Sequence, residues 1–110
     1  MDCTAKCRLS YHADVVLSVV TRESVEKIQH FMKYFCGKGT CVKDNHGRNA
    51  VHIAASYGRK DVLQWLLDEK KINLHEKDFE CGWTGLHRAC YYGYISCAIL
   101  LIEVGFLHLQ

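Results

Sequence analysis

Two histidines, His52 and His87, occupy matched places in this 110-residue sequence, each three positions after a small polar residue, Asn49 or Thr84. Histidine exchanges a proton near neutral pH, and His87 has a thiol, Cys90, one helical turn away. Such a pair is the raw material of a base and a nucleophile. A working pair also needs a third group to orient the base, and the sequence places none. Cys90 is expected to be buried and inert, because an apolar site keeps a thiol protonated. The seven cysteines invite a metal reading instead. Cys3-x3-Cys7 and Cys36-x4-Cys41 are loosely zinc-like, but zinc fingers and ribbons set such a pair against a second pair of Cys or His. Cys90 and Cys97 fall at small core positions, where free cysteine behaves as a hydrophobe. An odd count without a secretory leader fits reduced thiols. No glycine-rich phosphate loop and no recognisably spaced pair of carboxylates occurs. The expectation is a chain with no catalytic residue, no metal and no cofactor.

The elements that carry the histidines explain them better. In Gly82 to Gly93, Thr84 can cap a helix N-terminus. Leu86, Ala89 and Cys90 share one face of that helix, and Gly93 can end it. Leu100-Leu101-Ile102 begins the apolar end of a second helix. The same hairpin occurs earlier: Gly47, His52, Ala54, Gly58 and Leu66 precede Gly82, His87, Ala89, Gly93 and Leu101 by 35 residues each. Another 35 residues back, Val16, Val19, Val20, Ile28 and Phe31 keep the apolar register of Val51, Ala54, Ala55, Leu63 and Leu66. The signature is lost there, since His12, Leu17 and Glu23 replace Gly47, His52 and Gly58. A fixed period of this size marks a stacked repeat array. Predicted helices start at Asp14 and, capped by Ser24, at Val25; then come about 50–57, 60–69, 85–92 and 95–104, the last burying Cys97, Ala98, Leu100, Leu101 and Ile102. Leu66 and Leu101 should occupy the same inward position.

Asp44-x2-Gly47-x-Asn49-Ala50-Val51-His52-x-Ala54-Ala55-x2-Gly58 and Asp78-x3-Gly82-x-Thr84-Gly85-Leu86-His87-x-Ala89-Cys90-x2-Gly93 resemble ankyrin repeats. The resemblance implies an all-α ankyrin-repeat solenoid of stacked helix-turn-helix units. It would divide into an N-terminal arm (1–12), degenerate capping helices and loop (13–43), repeat one (44–77) and repeat two (78–110). It makes Gly47, His52, Gly58, Gly82, His87 and Gly93 a structural signature, with the histidines tying adjacent repeats by hydrogen bonds. The family's proline at the first helical turn is replaced, in repeat two by Gly85, at a cost of up to about 1 kcal/mol of helix stability.

A closer resemblance lies in Asp2-Cys3-Thr4, Lys6-Cys7, Leu17-Ser18-Val19-Val20-Thr21, Gly47-Arg48-Asn49-Ala50 and Gly82-Trp83-Thr84. These stretches are similar to the N-terminal ankyrin region of the inhibitor of Bruton tyrosine kinase family. That similarity implies a non-catalytic protein–protein interaction module, with the PH domain of a Tec-family tyrosine kinase as partner and a link to cullin-3 ubiquitin ligases as substrate adaptor. The other reading is a purely structural segment that supports downstream domains of a longer chain.

Composition agrees with a folded domain: 49% hydrophobic, 24% charged, net charge +2. No basic run is long enough for a nucleic-acid stripe. Arg59-Lys60 and Lys70-Lys71 read as solvated surface beside acidic neighbours. Val15 to Val20 is far short of the ~20 residues of a membrane span, and the expected location is the cytoplasm, with the nucleus as a second place. By the ankyrin resemblance, Arg48, Tyr57, Phe79, Trp83, Arg88, Tyr91 and Tyr92 gather along one concave side as the partner-binding set. Ile95, Ile99 and Ile102 are expected at an uncapped C-terminal face that self-associates or gains stability from added sequence.

Overall fold

The computed structural model describes residues 10–35, 42–68 and 74–109, with side chains over 13–33, 42–68 and 74–105. The zinc-like cysteine pairs, Cys3 with Cys7 and Cys36 with Cys41, lie outside these residues. Six helices follow in order: α1 Ser10–Arg22, α2 Val25–Phe35, α3 Ala50–Ser56, α4 Lys60–Asp68, α5 Gly85–Tyr92 and α6 Ile95–Leu109. No strand occurs among the described residues, and none of the helices is long and apolar enough to cross a membrane. The first helices stack as one layer, α3 between α1 and α5. The second helices form the other, α4 between α2 and α6. This is the predicted stack of helical hairpins. α1 starts four residues before Asp14, and α6 runs five residues past Val104.

Local chemistry sets the boundaries. Asn49 Oδ1 accepts the His52 N–H at 3.1 Å, and His52 Nδ1 accepts the Asn49 N–H at 3.2 Å, a reciprocal cap with histidine in the place usually taken by Glu or Gln. Ser24 Oγ accepts the Lys27 N–H at the start of α2. Gly58 (φ 67°) and Gly93 (φ 79°) end α3 and α5 in the left-handed region, and the next N–H returns to a carbonyl five residues back: Arg59 to Ala54 and Tyr94 to Ala89, 2.9 Å each.

The core runs between the layers through Val16, Val20, Ile28, Val51, Ala54, Ala55, Val62, Leu63, Leu66, Ala89, Cys97 and Leu101. Leu66 and Leu101 share their inward position, 0% and 3% exposed. Gly85 is part of the same packing: a methyl group on it would lie 2.7 Å from Val51 Cγ1. The missing side chain that weakens α5 is what lets α5 approach α3.

Three expectations are corrected. Cys90 is exposed, not buried. Its counterpart Ala55 is fully buried in α3, which packs between α1 and α5, whereas α5 packs on α3 and α6. Ile102, expected both among the buried residues of the last helix and with Ile95 and Ile99 at the C-terminal face, is 54% exposed, so only its burial is corrected; its counterpart Leu67 is itself only half-buried. Ile95 (71%) and Ile99 (49%) are exposed as expected, but not because a following repeat is absent. They stand in the register of Lys60 and Gln64, which are exposed although repeat two follows them.

Candidate functional site

The loops before α3 and α5 are tight tips built on an aspartate. Asp44 Oδ1 accepts the N–H groups of His46 and Arg48 at 2.9 Å each, and Asp78 Oδ1 those of Cys81 (2.9 Å) and Trp83 (3.3 Å). The Asp44 N–H closes its tip on the Arg48 carbonyl and the Asp78 N–H on the Trp83 carbonyl. The tips then join each other. The Phe79 N–H donates to the His46 carbonyl at 2.7 Å, and the Phe79 ring lies so close over Gly47 that a methyl there would meet it at 2.7 Å.

His52 fastens the second tip to the first repeat. Its Nδ1 accepts the Asn49 N–H, so its proton sits on Nε2, which donates to the Trp83 carbonyl at 2.7 Å. Burial pushes its pKa down, helped by Arg88 and opposed by the Trp83 hydrogen bond and the charges of Asp78 and Asp44. It is a neutral tie between repeats. His87 repeats the local half of this arrangement: Nδ1 accepts the Thr84 N–H at 3.1 Å, which commits that nitrogen to the helix cap and not to Cys90.

Asp78 and Arg88 hold the second tip to α5. Arg88 donates to Asp78 Oδ2 at 2.5 Å, with the Asp78 side chain fully buried and that of Arg88 12% exposed. Burial alone would raise the Asp78 pKa. The hydrogen bonds from the Cys81 N–H, Arg88 and the Trp83 N–H, with the Arg88 charge, overcome it and hold the carboxyl far below the usual carboxylate range. The first repeat carries a weaker version, Arg48 Nε to Asp44 Oδ2 at 2.7 Å, with Arg48 34% exposed.

On the outer side of this buried pair sits an aromatic cluster. The Arg88 guanidinium lies 5.5 Å from the Trp83 ring centre. Trp83 stacks on His87 (6.1 Å, 16° between planes) and meets Tyr91 at 5.3 Å; Tyr91 meets Tyr92 edge to face at 5.0 Å. Trp83 is half-buried, while Tyr91 and Tyr92 are 68% and 50% exposed.

The seven residues picked from the sequence therefore fall in three places. Trp83, Arg88, Tyr91 and Tyr92 form the cluster, in which Arg88 acts from beneath. Arg48 and exposed Tyr57 line a shallow groove of about 240 Å³ between α1 and α3, with Asp14, Ser18 and Ile53. Phe79 is exposed at the tips, with Lys43 Nζ 6.0 Å from its ring centre. The register relates the first two places: Arg48 is 35 residues before Trp83, and Tyr57 is 35 before Tyr92.

Two roles escaped the sequence reading. His87 joins the aromatic stack. Arg59, read as solvated surface, donates to the carbonyls of Val20 (3.2 Å) and Glu23 (2.6 Å), tying repeat one to the capping helices. Its place in the 35-residue register, one after Gly58 as Tyr94 is one after Gly93, was the available signal.

The family model for ankyrin repeats (many copies) matches residues 51–102. With its stacked hairpins, reciprocal caps and histidine tie, the chain is an all-α ankyrin-repeat solenoid. It is similar to proteins named Inhibitor of Bruton tyrosine kinase: 49% identical over 104 residues to that of Xenopus laevis, 50% to that of Mus musculus and 47% to that of Homo sapiens. Each alignment covers 94% of this chain and 8% of the relative, so the chain spans about a twelfth of those proteins' length.

Proposed function

We propose that this chain is a non-catalytic protein-interaction module that holds its partner on the side of α5 carrying Trp83, Tyr91 and Tyr92. Solenoids bind through the extended surface made by successive repeats, and three touching aromatics, two of them exposed by half or more, carry the reading. Such side chains bury large rigid area with a polar handle and dominate interface energetics. Their backing by the Asp78–Arg88 pair lowers the ordering cost of binding. Arg48 and Tyr57 extend the surface towards α1, and Phe79 borders it at the tips.

The relatives' name makes a tyrosine kinase the first partner to test, and its PH domain the part of it. Within a longer protein the same surface would select the substrate of a ubiquitin-ligase adaptor. The test is titration of this chain into the isolated PH domain and the whole Bruton tyrosine kinase, followed by calorimetry. Saturable binding to the PH domain supports the reading in full, and binding only to the whole kinase moves the docking site elsewhere on it. No binding to either removes the kinase as partner.

A further inference from the structure

The groove of about 240 Å³ between α1 and α3 is floored by two buried aliphatic residues, Leu17 and Ile53. Its α1 wall is a stripe of oxygen atoms. Asp14, Ser18 and Thr21 stand at i, i+4 and i+7 and so share one helical face. Both hydroxyls have spent their protons on their own helix: Ser18 Oγ donates to the Val15 carbonyl at 2.8 Å, and Thr21 Oγ1 to the Ser18 carbonyl at 2.6 Å. A hydroxyl that has donated keeps only its lone pairs, so both offer the groove acceptors alone. Asp14 adds a carboxylate that is exposed and unpaired among the described residues.

The opposite wall comes from repeat one. Exposed Tyr57 supplies an aromatic ring, and Arg48 the one cation of the lining. Arg48 is not a free charge, because its Nε donates to Asp44 Oδ2 at 2.7 Å. Asp44 is equally committed, its Oδ1 accepting the N–H groups of His46 and Arg48. With that pair neutralised, Asp14 leaves the groove with net negative charge. The space is smaller than the roughly 300–1,000 Å³ of small-molecule sites, and suits one long side chain.

We propose that this groove takes an arginine side chain of the protein partner. The inference rests on the reading of the chain as an interaction module and gives that module a second anchor, separate from the α5 cluster. The aliphatic stem of the arginine lies over Leu17 and Ile53. Its guanidinium reaches the Asp14 carboxylate and the hydroxyl oxygens of the α1 stripe, and stacks on Tyr57. A guanidinium is planar and carries donors only, which matches a wall of acceptors beside a ring. A lysine answers the charge of Asp14, but its compact ammonium lacks the fork and the flat face. A neutral or acidic side chain leaves Asp14 unanswered. The terminal N–H groups of Arg48 make no hydrogen bond among the described residues, and they meet a backbone carbonyl of the segment that carries the arginine.

The test titrates the capped peptide Ala-Ala-Arg-Ala-Ala into the nitrogen-15-labelled chain and follows the amide signals by NMR. Parallel peptides carry citrulline, lysine or glutamate in place of the arginine. The expected result is saturable movement of the Ser18, Thr21, Ile53 and Tyr57 signals by the arginine peptide in the millimolar range. The lysine peptide should bind about threefold more weakly or worse, and the citrulline and glutamate peptides should not saturate. Asp14→Asn and Ser18→Ala should each weaken the arginine peptide by about threefold or more. Neither should move the melting temperature much, since Asp14 is exposed and alanine favours the helix. The proposal is overturned if the groove signals do not move, if citrulline, lysine or glutamate binds as well as arginine, or if Asp14→Asn binds the arginine peptide unchanged. Its failure is distinct from that of the kinase reading. A chain that binds the kinase but not the arginine peptide overturns this inference alone, and one that binds the peptide but not the kinase leaves it standing.

Discussion

The Nε2 of His52 lies 2.7 Å from the carbonyl oxygen of Trp83, the residue whose ring heads the exposed aromatic cluster. One residue thus does two jobs: its backbone locks repeat two to repeat one, and its ring heads the cluster proposed above as the partner-binding surface. The lock depends on a neutral His52, because protonation at Nδ1 would remove the acceptor for the Asn49 N–H. Since the folded-state pKa is lowered, the unfolded chain takes up this proton first as the pH falls. The contribution is therefore complete above the unfolded value of about 6.5 and is lost as the pH drops from there through the folded value. Denaturant melts at pH 7.5 and 5.5 should show a loss of stability that shrinks in His52→Gln. His52→Ala should cost about 1–3 kcal/mol even at pH 7.5, from the unpaired buried groups it leaves.

Asp78 governs a separate, more acidic window. Its depressed pKa means that its stabilisation is present above the ordinary carboxylate value of about 4 and is lost below it. Asp78→Ala removes the partner of a mostly buried Arg88 and the acceptor for two tip N–H groups, and should cost about 3–5 kcal/mol. Asp44→Ala should cost less, since Arg48 is a third exposed and can turn to water. Equal losses in thermal melts of the two variants would contradict the difference in burial.

Gly85→Ala separates helix propensity from packing. Propensity alone predicts a gain of about 1 kcal/mol for α5. The new methyl would sit 2.7 Å from Val51 Cγ1, and overpacking of this kind costs about 1–3 kcal/mol. The net effect should be a loss, partly recovered in Gly85→Ala/Val51→Ala because the two residues share one contact. A more stable single variant would mean that α3 and α5 can part freely.

Residues whose task repeats every 35 positions were legible in the sequence. The caps, the turn glycines and the inward pair Leu66 and Leu101 follow from period and residue type, and the tie made by His52 was implied by the ankyrin resemblance. What stayed hidden depends on contacts between repeats. Gly85 reads as a weak helix start until Val51 is seen against it. Arg59 reads as solvent-facing until the carbonyls of Val20 and Glu23 are found at its end. Cys90 was placed in the core by its likeness to Ala55, and period cannot say which sides of a helix have neighbours. For the candidate site, the sequence supplied the aromatic residues, but not their mutual stacking or the commitment of Arg88 to Asp78.

Ile95 and Ile99 form an exposed stripe at positions where repeat one carries Lys60 and Gln64. Exchanging them for those residues should leave stability within about 0.5 kcal/mol and lower any self-association, because the change removes apolar area without touching the core. Light scattering of Ile95→Lys/Ile99→Gln against the parent at rising concentration measures this. Association that persists unchanged would assign it to another surface.

The interaction surface makes the last prediction. If the aromatic cluster anchors the partner, the cost of truncation is concentrated there. Trp83→Ala and Tyr91→Ala/Tyr92→Ala should each weaken binding by about 2 kcal/mol, roughly thirtyfold. Lys60→Ala, on the exposed side of α4, should change it little. Trp83 is half-buried against Arg88 and His87, so its truncation also tests folding. The tyrosine pair, more exposed, separates the two effects: it should melt like the parent and still bind weakly. Arg88→Lys adds a second separation. A lysine keeps the charge beside Asp78 but lacks the planar group that lies over Trp83, so it should loosen the cluster and lower affinity by less than Trp83→Ala does. Tyrosine and tryptophan variants that fold normally and bind with the parent's affinity would move the site off α5, leaving the groove of Arg48 and Tyr57 between α1 and α3 as the next surface to mutate.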